Sequence, residues 1–307
     1  MRSFWVWSEK GRSSLVAAPK SVESCILTCM NRKLVLLRIV AIFGLPSLGH
    51  AVEQGKLDLR FSASAPYSST AAVSLHFGNT SAMTDYNVTN ELFQVIVPAS
   101  QSTNTNTPWG LLVWISPSDE PHIPPDWDAE LEKRQLIVVC AYRSGNRRQP
   151  VDRFRLALDA TYNTCRRYKV NRDRIYVGGF SGGGRIASML GVGYADIFRG
   201  TLAICGVNFY LPVSDGHGKN WPASYGSEQS MIQLAQKSGR FVLLTGEHDP
   251  NRENTRDLAN NGFKLVGFKS VLYLEVPGMN HEIPAVPTLA VAFDFLAGNQ
   301  GLGNHPR

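Results

Sequence analysis

A serine stands in the middle of a glycine-rich turn in the second half of the chain. Residues 174–188 read RIYVGGFSGGGRIAS: an apolar run, five glycines interrupted by Phe180 and Ser181, and then residues typical of a helix. The five residues 179–183 satisfy G-x-S-x-G, the pattern of a serine on a sharp strand-to-helix turn that small neighbours make sterically possible. Such a turn exposes the hydroxyl and directs helix N–H groups at charge developing beside it.

A serine hydroxyl is a weak nucleophile unless an imidazole accepts its proton and a carboxylate orients that imidazole. Asp249 follows the apolar run 240–246, and His281 follows the run 270–276. The order Ser181, Asp249, His281 along the chain is the order expected with a nucleophile elbow. Three alternatives stay open: Ser181 as a turn residue, His281 as a loop histidine, and Asp249 as a helix cap with Glu247 as the acid.

Two phosphate-binding interpretations of the glycine turn fail on residue type. Read as a P-loop from Gly179, the turn places Arg185 and Ile186 where lysine and a hydroxyl residue are required. A dinucleotide pattern fits Gly182, Gly184 and Ala187, but no acid ends the next apolar run. A metal site at Glu247, His248 and Asp249 lacks a second histidine cluster. We therefore expect no cofactor and no metal.

Strand-like and helix-like segments alternate over most of the chain. An early antiparallel pair is predicted at 72–78 and 91–99. Further strands are predicted at 110–116, 135–142, 174–179, 200–206, 240–246 and 270–276. Helices are predicted at 125–134, 151–168, 183–193, 227–239 (with Ser227 as its N-cap), 254–263 and 286–298. This alternation predicts an α/β class with a mostly parallel central sheet and helices on both faces, in which sites form at the carboxyl ends of strands.

The first 51 residues have a pattern that indicates a leader. From Met30 a positively charged start is followed by the apolar run 39–48 and by small residues before a cut after Ala51, the pattern of a signal peptide. The apolar run is too short to span a bilayer. We predict a non-native or dispensable extension at 1–29, a signal peptide at 30–51 (with a buried N-terminal strand as the alternative) and one domain at 52–307. We also predict secretion or a periplasmic location and no stable membrane anchor.

The net charge of +6 comes mostly from that leader, because 52–307 holds 24 basic and 23 acidic residues. No Lys/Arg stripe of the kind that binds nucleic acid is present, and the densest basic patch, 147–155, is interpreted as a solvated helix start. Cys140, Cys165 and Cys205 follow no metal-binding spacing, and we interpret them as buried thiols, with a disulfide as the alternative.

Three segments resemble α/β-hydrolases of the secreted esterase group that includes polyhydroxybutyrate depolymerases and feruloyl or acetylxylan esterases. They are RIYVGGFSGGGRIASML with the following YADIFRGTLAICG, then LLTGEHDPN, and VPGMNHEIP. The resemblance covers roughly residues 91–298 and implies the α/β-hydrolase fold and a Ser181–His281–Asp249 triad. The group usually carries His-Gly after the third strand, where this chain has Ser116-Pro117-Ser118. Since proline has no N–H, we predict Gly182 and Ser118 as the oxyanion-hole donors.

The substrate class is less constrained than the triad. We predict Phe180, Tyr210 and Trp221 as substrate-binding, the last two from the aromatic-rich insert 208–226, which has a structural loop as its alternative. The leading hypothesis is a secreted serine hydrolase of small-molecule or polymer-bound carboxylic esters. The alternatives are a peptidase of prolyl-oligopeptidase type and a non-catalytic binding protein that has lost its oxyanion hole.

Overall fold

The computed structural model describes residues 55–78, 85–99 and 107–298. The predicted extension at 1–29 and the predicted signal peptide at 30–51 lie outside the described residues. Within the described ranges, no helix is both long and apolar enough to cross a membrane.

Among the described residues, eight strands form the central sheet in the order β1-β2-β4-β3-β5-β6-β9-β10. The strand β2 pairs antiparallel with β1 and β4, and every other neighbouring pair is parallel. A separate two-stranded hairpin is formed by β7 and β8. The strands are β1 (Gly55–Leu59), β2 (Phe93–Val97), β3 (Trp109–Ile115), β4 (Leu136–Ala141), β5 (Val170–Phe180), β6 (Gly200–Ile204), β7 (Val213–Ser214), β8 (Asn220–Trp221), β9 (Arg240–Gly246) and β10 (Ser270–Val276).

The central strands are buried on both faces, which explains their continuous apolar sequences. Every residue of β3 and β4 is buried. Alternate β3 side chains enter different core clusters: Leu111 and Val113 join one, and Leu112 and Trp114 join the other. Helices therefore have to cover both faces, as the alternating pattern predicts.

In the part of the chain that the structure describes, seven α-helices surround the sheet. They are α1 (Thr70–Phe77), α2 (Asp128–Lys133), α3 (Pro150–Arg167), α4 (Gly182–Gly193), α5 (Gln229–Ser238), α6 (Arg252–Asp257) and α7 (Val286–Ala297). The cluster that holds Leu111 also contains side chains of α1, α3 and α4, whereas the cluster that holds Trp114 contains side chains of α2 and α7. The prediction of a mostly parallel sheet with helices on both faces is confirmed.

Two local predictions are wrong. The run 72–78, predicted as a strand, lies in α1, where Ser69 caps the helix by accepting a hydrogen bond from the Ala72 N–H. Val73 and Phe77, four residues apart, are buried, and the antiparallel partners of β2 are β1 and β4 instead. Ser227 does not cap α5: the residue before the helix is Glu228, which makes no side-chain capping bond.

The basic patch 147–155 is only partly solvated, contrary to the prediction. Arg147 is exposed, but Arg148 pairs with the buried Glu91, and Arg153 is only 5% exposed inside α3. The three cysteines of the described ranges are free thiols, with Cys140 and Cys205 buried, as interpreted from the sequence.

Candidate active site

The turn between β5 and α4 holds Ser181 in a strained backbone conformation. Its φ of 55° and ψ of −119° lie in a region that few residues other than glycine adopt, and its N–H donates to the Ile204 carbonyl at 2.7 Å. A Cβ on Gly183 would collide with the carbonyl oxygen of Ile115 at the end of β3. The glycines of the turn thus let α4 begin directly beside the neighbouring strands, with the serine at their carboxyl ends.

His281 lies in the loop after β10, and its ring connects the serine to the acid. Its Nε2 is 2.9 Å from Ser181 Oγ, and its Nδ1 is 2.8 Å from Asp249 Oδ1. The histidine side chain is 33% exposed, while that of Asp249 is fully buried. Hydroxyl, imidazole and carboxylate therefore form one hydrogen-bonded series, which can move a proton from the serine to the imidazole while the carboxylate holds the ring.

Asp249 is held by four neighbours at the carboxyl end of β9. Burial opposes its ionisation, but the Asn251 N–H at 3.0 Å, the Thr245 hydroxyl at 2.7 Å, His281 and the Cys205 thiol outweigh burial and lower its pKa. Glu247, the rival acid, instead accepts the Gly278 N–H at 2.8 Å. The carboxylate that contacts His281 is therefore Asp249, the residue predicted from the order Ser181, Asp249, His281 along the chain.

The two predicted oxyanion donors differ in their surroundings. Gly182 is the first residue of α4, so its N–H is one of the helix N–H groups that have no intrahelical acceptor. The Ser118 N–H donates to Ser116 Oγ at 3.2 Å, inside its own turn. The donor role predicted for Ser118 therefore does not fit the structure, because the short turn after β3 uses that N–H itself.

Two residues that the sequence reasoning missed lie against this turn. The side chain of Asn146 packs on Gly182 so closely that a Cβ there would collide with the amide. Arg153 donates from Nη1 to Asn146 Oδ1 at 3.4 Å and from Nη2 to the Ser116 carbonyl at 3.2 Å. Asn146 follows the carboxyl end of β4, and that position was the only sequence signal available for it.

No protein-family model and no curated protein sequence matches this chain. Solved structures with similar backbones include the S-formylglutathione hydrolase of Staphylococcus aureus, at 14% identity over 67% of this chain and 91% of that chain, with a TM-score of 0.49. An arylesterase matches at 15% identity over 81% of this chain and 86% of that chain, with a TM-score of 0.48. Dipeptidyl peptidase 4 of Porphyromonas gingivalis matches at 16% identity over 68% of this chain, with a TM-score of 0.49, and this chain covers only 33% of its length. The strand order, the helices on both faces and the serine turn after β5 decide the fold. The chain has the α/β-hydrolase fold.

The predicted substrate-binding aromatics of this α/β-hydrolase fold do not all reach the serine. The ring of Phe180 lies 4.9 Å from the ring of His281. Tyr210 instead packs with Phe209 and Phe268, and Trp221 donates from Nε1 to Asp257 at 3.0 Å. Within the described residues, neither of these two rings makes a hydrogen bond or ring contact with the Ser–His–Asp series, so their packing follows the structural-loop alternative.

One group of three potential metal ligands is present in the described ranges. The ligand atoms of Cys205, Asp249 and His281 lie within 4.8 Å of one another. Both oxygens of Asp249 already accept hydrogen bonds, and burial together with the adjacent Asp249 raises the pKa of the Cys205 thiol, which opposes the thiolate that a metal requires. These side chains fit the hydrogen-bonded series better than a metal site.

Proposed function

We propose that this chain is a secreted serine hydrolase that cleaves carboxylic esters through an acyl-enzyme on Ser181. The observation that supports the proposal most is the pair of contacts from His281, 2.9 Å to Ser181 Oγ and 2.8 Å to Asp249 Oδ1. Secretion is proposed from the signal-peptide pattern at 30–51. The fold, with the serine at the carboxyl ends of the central strands, is compatible with this chemistry.

In the first half of the proposed reaction, Ser181 Oγ attacks the ester carbonyl carbon while His281 Nε2 takes the hydroxyl proton. The carbonyl becomes a tetrahedral oxyanion, and Asp249 stabilises the imidazolium that forms. When the carbon–oxygen bond to the leaving group breaks, His281 returns the proton to the departing alkoxide, so an alcohol leaves and the acyl group stays on Ser181.

In the second half, water takes the place of the alcohol. His281 removes a proton from the water as it attacks the acyl carbon, and a second tetrahedral oxyanion forms. Collapse of this intermediate breaks the bond to Ser181 Oγ, His281 returns the proton to the serine, and a carboxylic acid is released. Each cycle thus consumes one ester and one water and regenerates the starting protonation states.

A direct assay compares ester and peptide hydrolysis by the full chain. We expect p-nitrophenyl acetate and butyrate to be hydrolysed, with activity lost in Ser181→Ala, and dipeptide p-nitroanilides to be hydrolysed far more slowly. Arg147→Ala is the matched control, because Arg147 is 92% exposed and, among the described residues, pairs only with Asp119 at the surface. Turnover of the anilides above that of the esters would favour the peptidase alternative, and a folded wild type without any turnover would favour a binding protein.

A further inference from the structure

The proposed reaction needs two hydrogen-bond donors for the oxyanion. The Gly182 N–H is one, but the turn after β3 does not provide the other. Pro117 has no N–H, and the Ser118 N–H is bonded to Ser116 Oγ. The hydroxyls of both serines also donate to the Glu120 carbonyl at 2.9 Å, so this turn closes on itself. An oxyanion hole that lacks one donor loses on the order of 10²–10³ in kcat. A second donor is therefore expected from another element.

The side chain of Asn146 occupies the space beside the first donor. It lies on the loop after β4 and packs on the Cα of Gly182, the residue whose N–H begins α4. Because any Cβ at position 182 would collide with this amide, the glycine and the asparagine fit together as a pair. The carboxamide thus lies beside the first residue of α4, with Oδ1 nearest to the position that this Cβ would take and Nδ2 farther from it, at 3.0 Å.

Arg153 determines which end of the carboxamide is left to donate. Its Nη1 donates to Asn146 Oδ1 at 3.4 Å, and its Nη2 donates to the Ser116 carbonyl at 3.2 Å. With Oδ1 accepting from the guanidinium, the Nδ2 group is the end that remains, and it makes no hydrogen bond to another described residue. The residue is exposed, so a substrate can reach it.

The charge of Arg153 is directed at this side of the site. The guanidinium is buried, burial lowers its pKa to about 10, and no carboxylate in the described ranges forms an ion pair with it. A buried cation without a carboxylate partner is costly to the fold. Its two hydrogen bonds go to Asn146 Oδ1 and to the Ser116 carbonyl, and a cation on Oδ1 makes the Nδ2 hydrogens stronger donors.

The loop that carries Asn146 is fixed at several points. Its backbone N–H donates to the Pro117 carbonyl at 2.9 Å, and the Arg143 N–H donates to the Asp119 carbonyl at 2.6 Å. Arg148 binds the buried Glu91 through two hydrogen bonds, of 2.7 and 3.0 Å. A donor held in this way needs no rearrangement when charge develops, which is the condition for effective oxyanion stabilisation.

We propose that Asn146 Nδ2 is the second oxyanion donor, in place of the Ser118 N–H, and that Arg153 is the positioning residue that orients it. The inference rests on the proposed function. In each tetrahedral intermediate the oxyanion accepts one hydrogen bond from the Gly182 N–H and one from Asn146 Nδ2, and no bond to Asn146 is made or broken.

The test measures kcat and KM of the full chain on p-nitrophenyl acetate for Asn146→Ala, Asn146→Asp and the surface control Arg147→Ala. We expect kcat to fall by about 10²–10³ in both Asn146 variants, with KM changed by less than about threefold, because the donor acts in the transition state. Asn146→Asp keeps the shape of the side chain but has no N–H, so it separates donation from packing. The inhibition constant of a trifluoromethyl ketone, which forms a stable oxyanion on serine, rises by a similar factor.

Arg153→Lys and Arg153→Met test the positioning role. We expect kcat to fall in Arg153→Met with KM little changed, and the lysine variant to recover part of the loss, while thermal melts show which variants remain folded. If both Asn146 variants keep kcat within about threefold of the wild type while Ser181→Ala is inactive, Asn146 is not the donor and the proposed function survives. If the folded wild type has no Ser181-dependent turnover, the proposed function itself fails.

Discussion

At the scale of single residues, hydrogen bonding distinguishes Asp249 from the nearby Glu247. Asp249 is buried, yet its pKa is lowered, because the Asn251 N–H, the Thr245 hydroxyl and His281 stabilise its charged form. Glu247, two residues earlier, bonds a backbone N–H of the histidine loop instead. The proposed role of Asp249 in catalysis and its lowered pKa each lead to a measurable prediction.

Replacing the acid by its amide removes the partner of the histidine. We expect Asp249→Asn to lower kcat on p-nitrophenyl acetate by on the order of 10⁴, because an amide neither selects the reactive tautomer of His281 nor stabilises its charged form. The matched control is Glu247→Gln, which should stay within about threefold of the wild type. A larger loss in the control than in Asp249→Asn would assign the acid to Glu247.

The lowered pKa of Asp249 also makes stability depend on pH. A carboxylate whose folded-state pKa lies below its unfolded value, about 3.9, contributes stability that is complete above that value and disappears as pH falls through the folded pKa. Urea unfolding should therefore show that the wild type exceeds Asp249→Asn in free energy of unfolding by more at pH 7 than at pH 3. A difference in free energy of unfolding that is the same or larger at pH 3 would contradict the lowered pKa.

At the scale of elements, backbone strain and close packing gather where strands end. Three of the four non-glycine residues with positive φ in the described ranges follow the carboxyl ends of central strands: Arg143 after β4, Ser181 after β5 and Cys205 after β6. Strain of this kind persists only where surrounding structure holds it, and it is frequent at functional sites. The turn of Ser181 is held by the contact between Gly183 and β3.

That contact makes Gly183 sensitive to a single methyl group. We expect Gly183→Ala to lower the free energy of unfolding by about 3 kcal/mol or more, or to prevent folding, because its Cβ would meet a strand carbonyl that cannot move without displacing β3. Gly226→Ala is the matched control, since its nearest contact would be Phe77 O at 3.6 Å, and we expect a change within about 0.5 kcal/mol. Equal urea midpoints for the two variants would contradict the close packing.

At the scale of the whole molecule, the sheet brings residues far apart in sequence to one edge. The buried strands were predictable because both their faces are covered and their sequences are nearly all apolar, as in β3 and β4. Ser181, Asp249 and His281 were predictable because they follow the carboxyl ends of apolar runs, one, three and five residues after β5, β9 and β10 end. Asn146 and Arg153 were not, because their environment arises only when the loop after β4 meets the turn after β3.

Predictions from aromatic residues and from short apolar segments were less accurate, because their roles also depend on contacts made only in the folded chain. The run 72–78 is short and apolar, so the sequence alone does not distinguish a strand from the helix that forms there. Tyr210 and Trp221 are equally compatible with a binding surface and with packing, and their neighbours in the fold decide for packing. The sequence of the turn 116–118 is compatible with a backbone donor at Ser118, but in the fold that N–H donates to Ser116 Oγ.

The free thiols lead to a prediction for the molecule as a whole. Cys140, Cys165 and Cys205 form no disulfide, so apolar packing and hydrogen bonds stabilise the described part of the fold without a covalent cross-link. We expect the Tm of the full chain to be the same within about 1 °C with and without dithiothreitol. A large fall in Tm on reduction would show that a disulfide supports the fold.

Locating the acylated residue tests the proposed nucleophile directly. The full chain is treated with a fluorophosphonate and, separately, with p-nitrophenyl acetate followed by an acid quench, and the modified peptide is identified by mass spectrometry. We expect one adduct in each case, on Ser181, absent in Ser181→Ala and reduced in His281→Ala. We also expect a burst of nitrophenolate equal to the enzyme concentration whenever deacylation is slower than acylation. A folded chain that forms no adduct, or forms it on another residue, would contradict the assignment of Ser181 as the nucleophile.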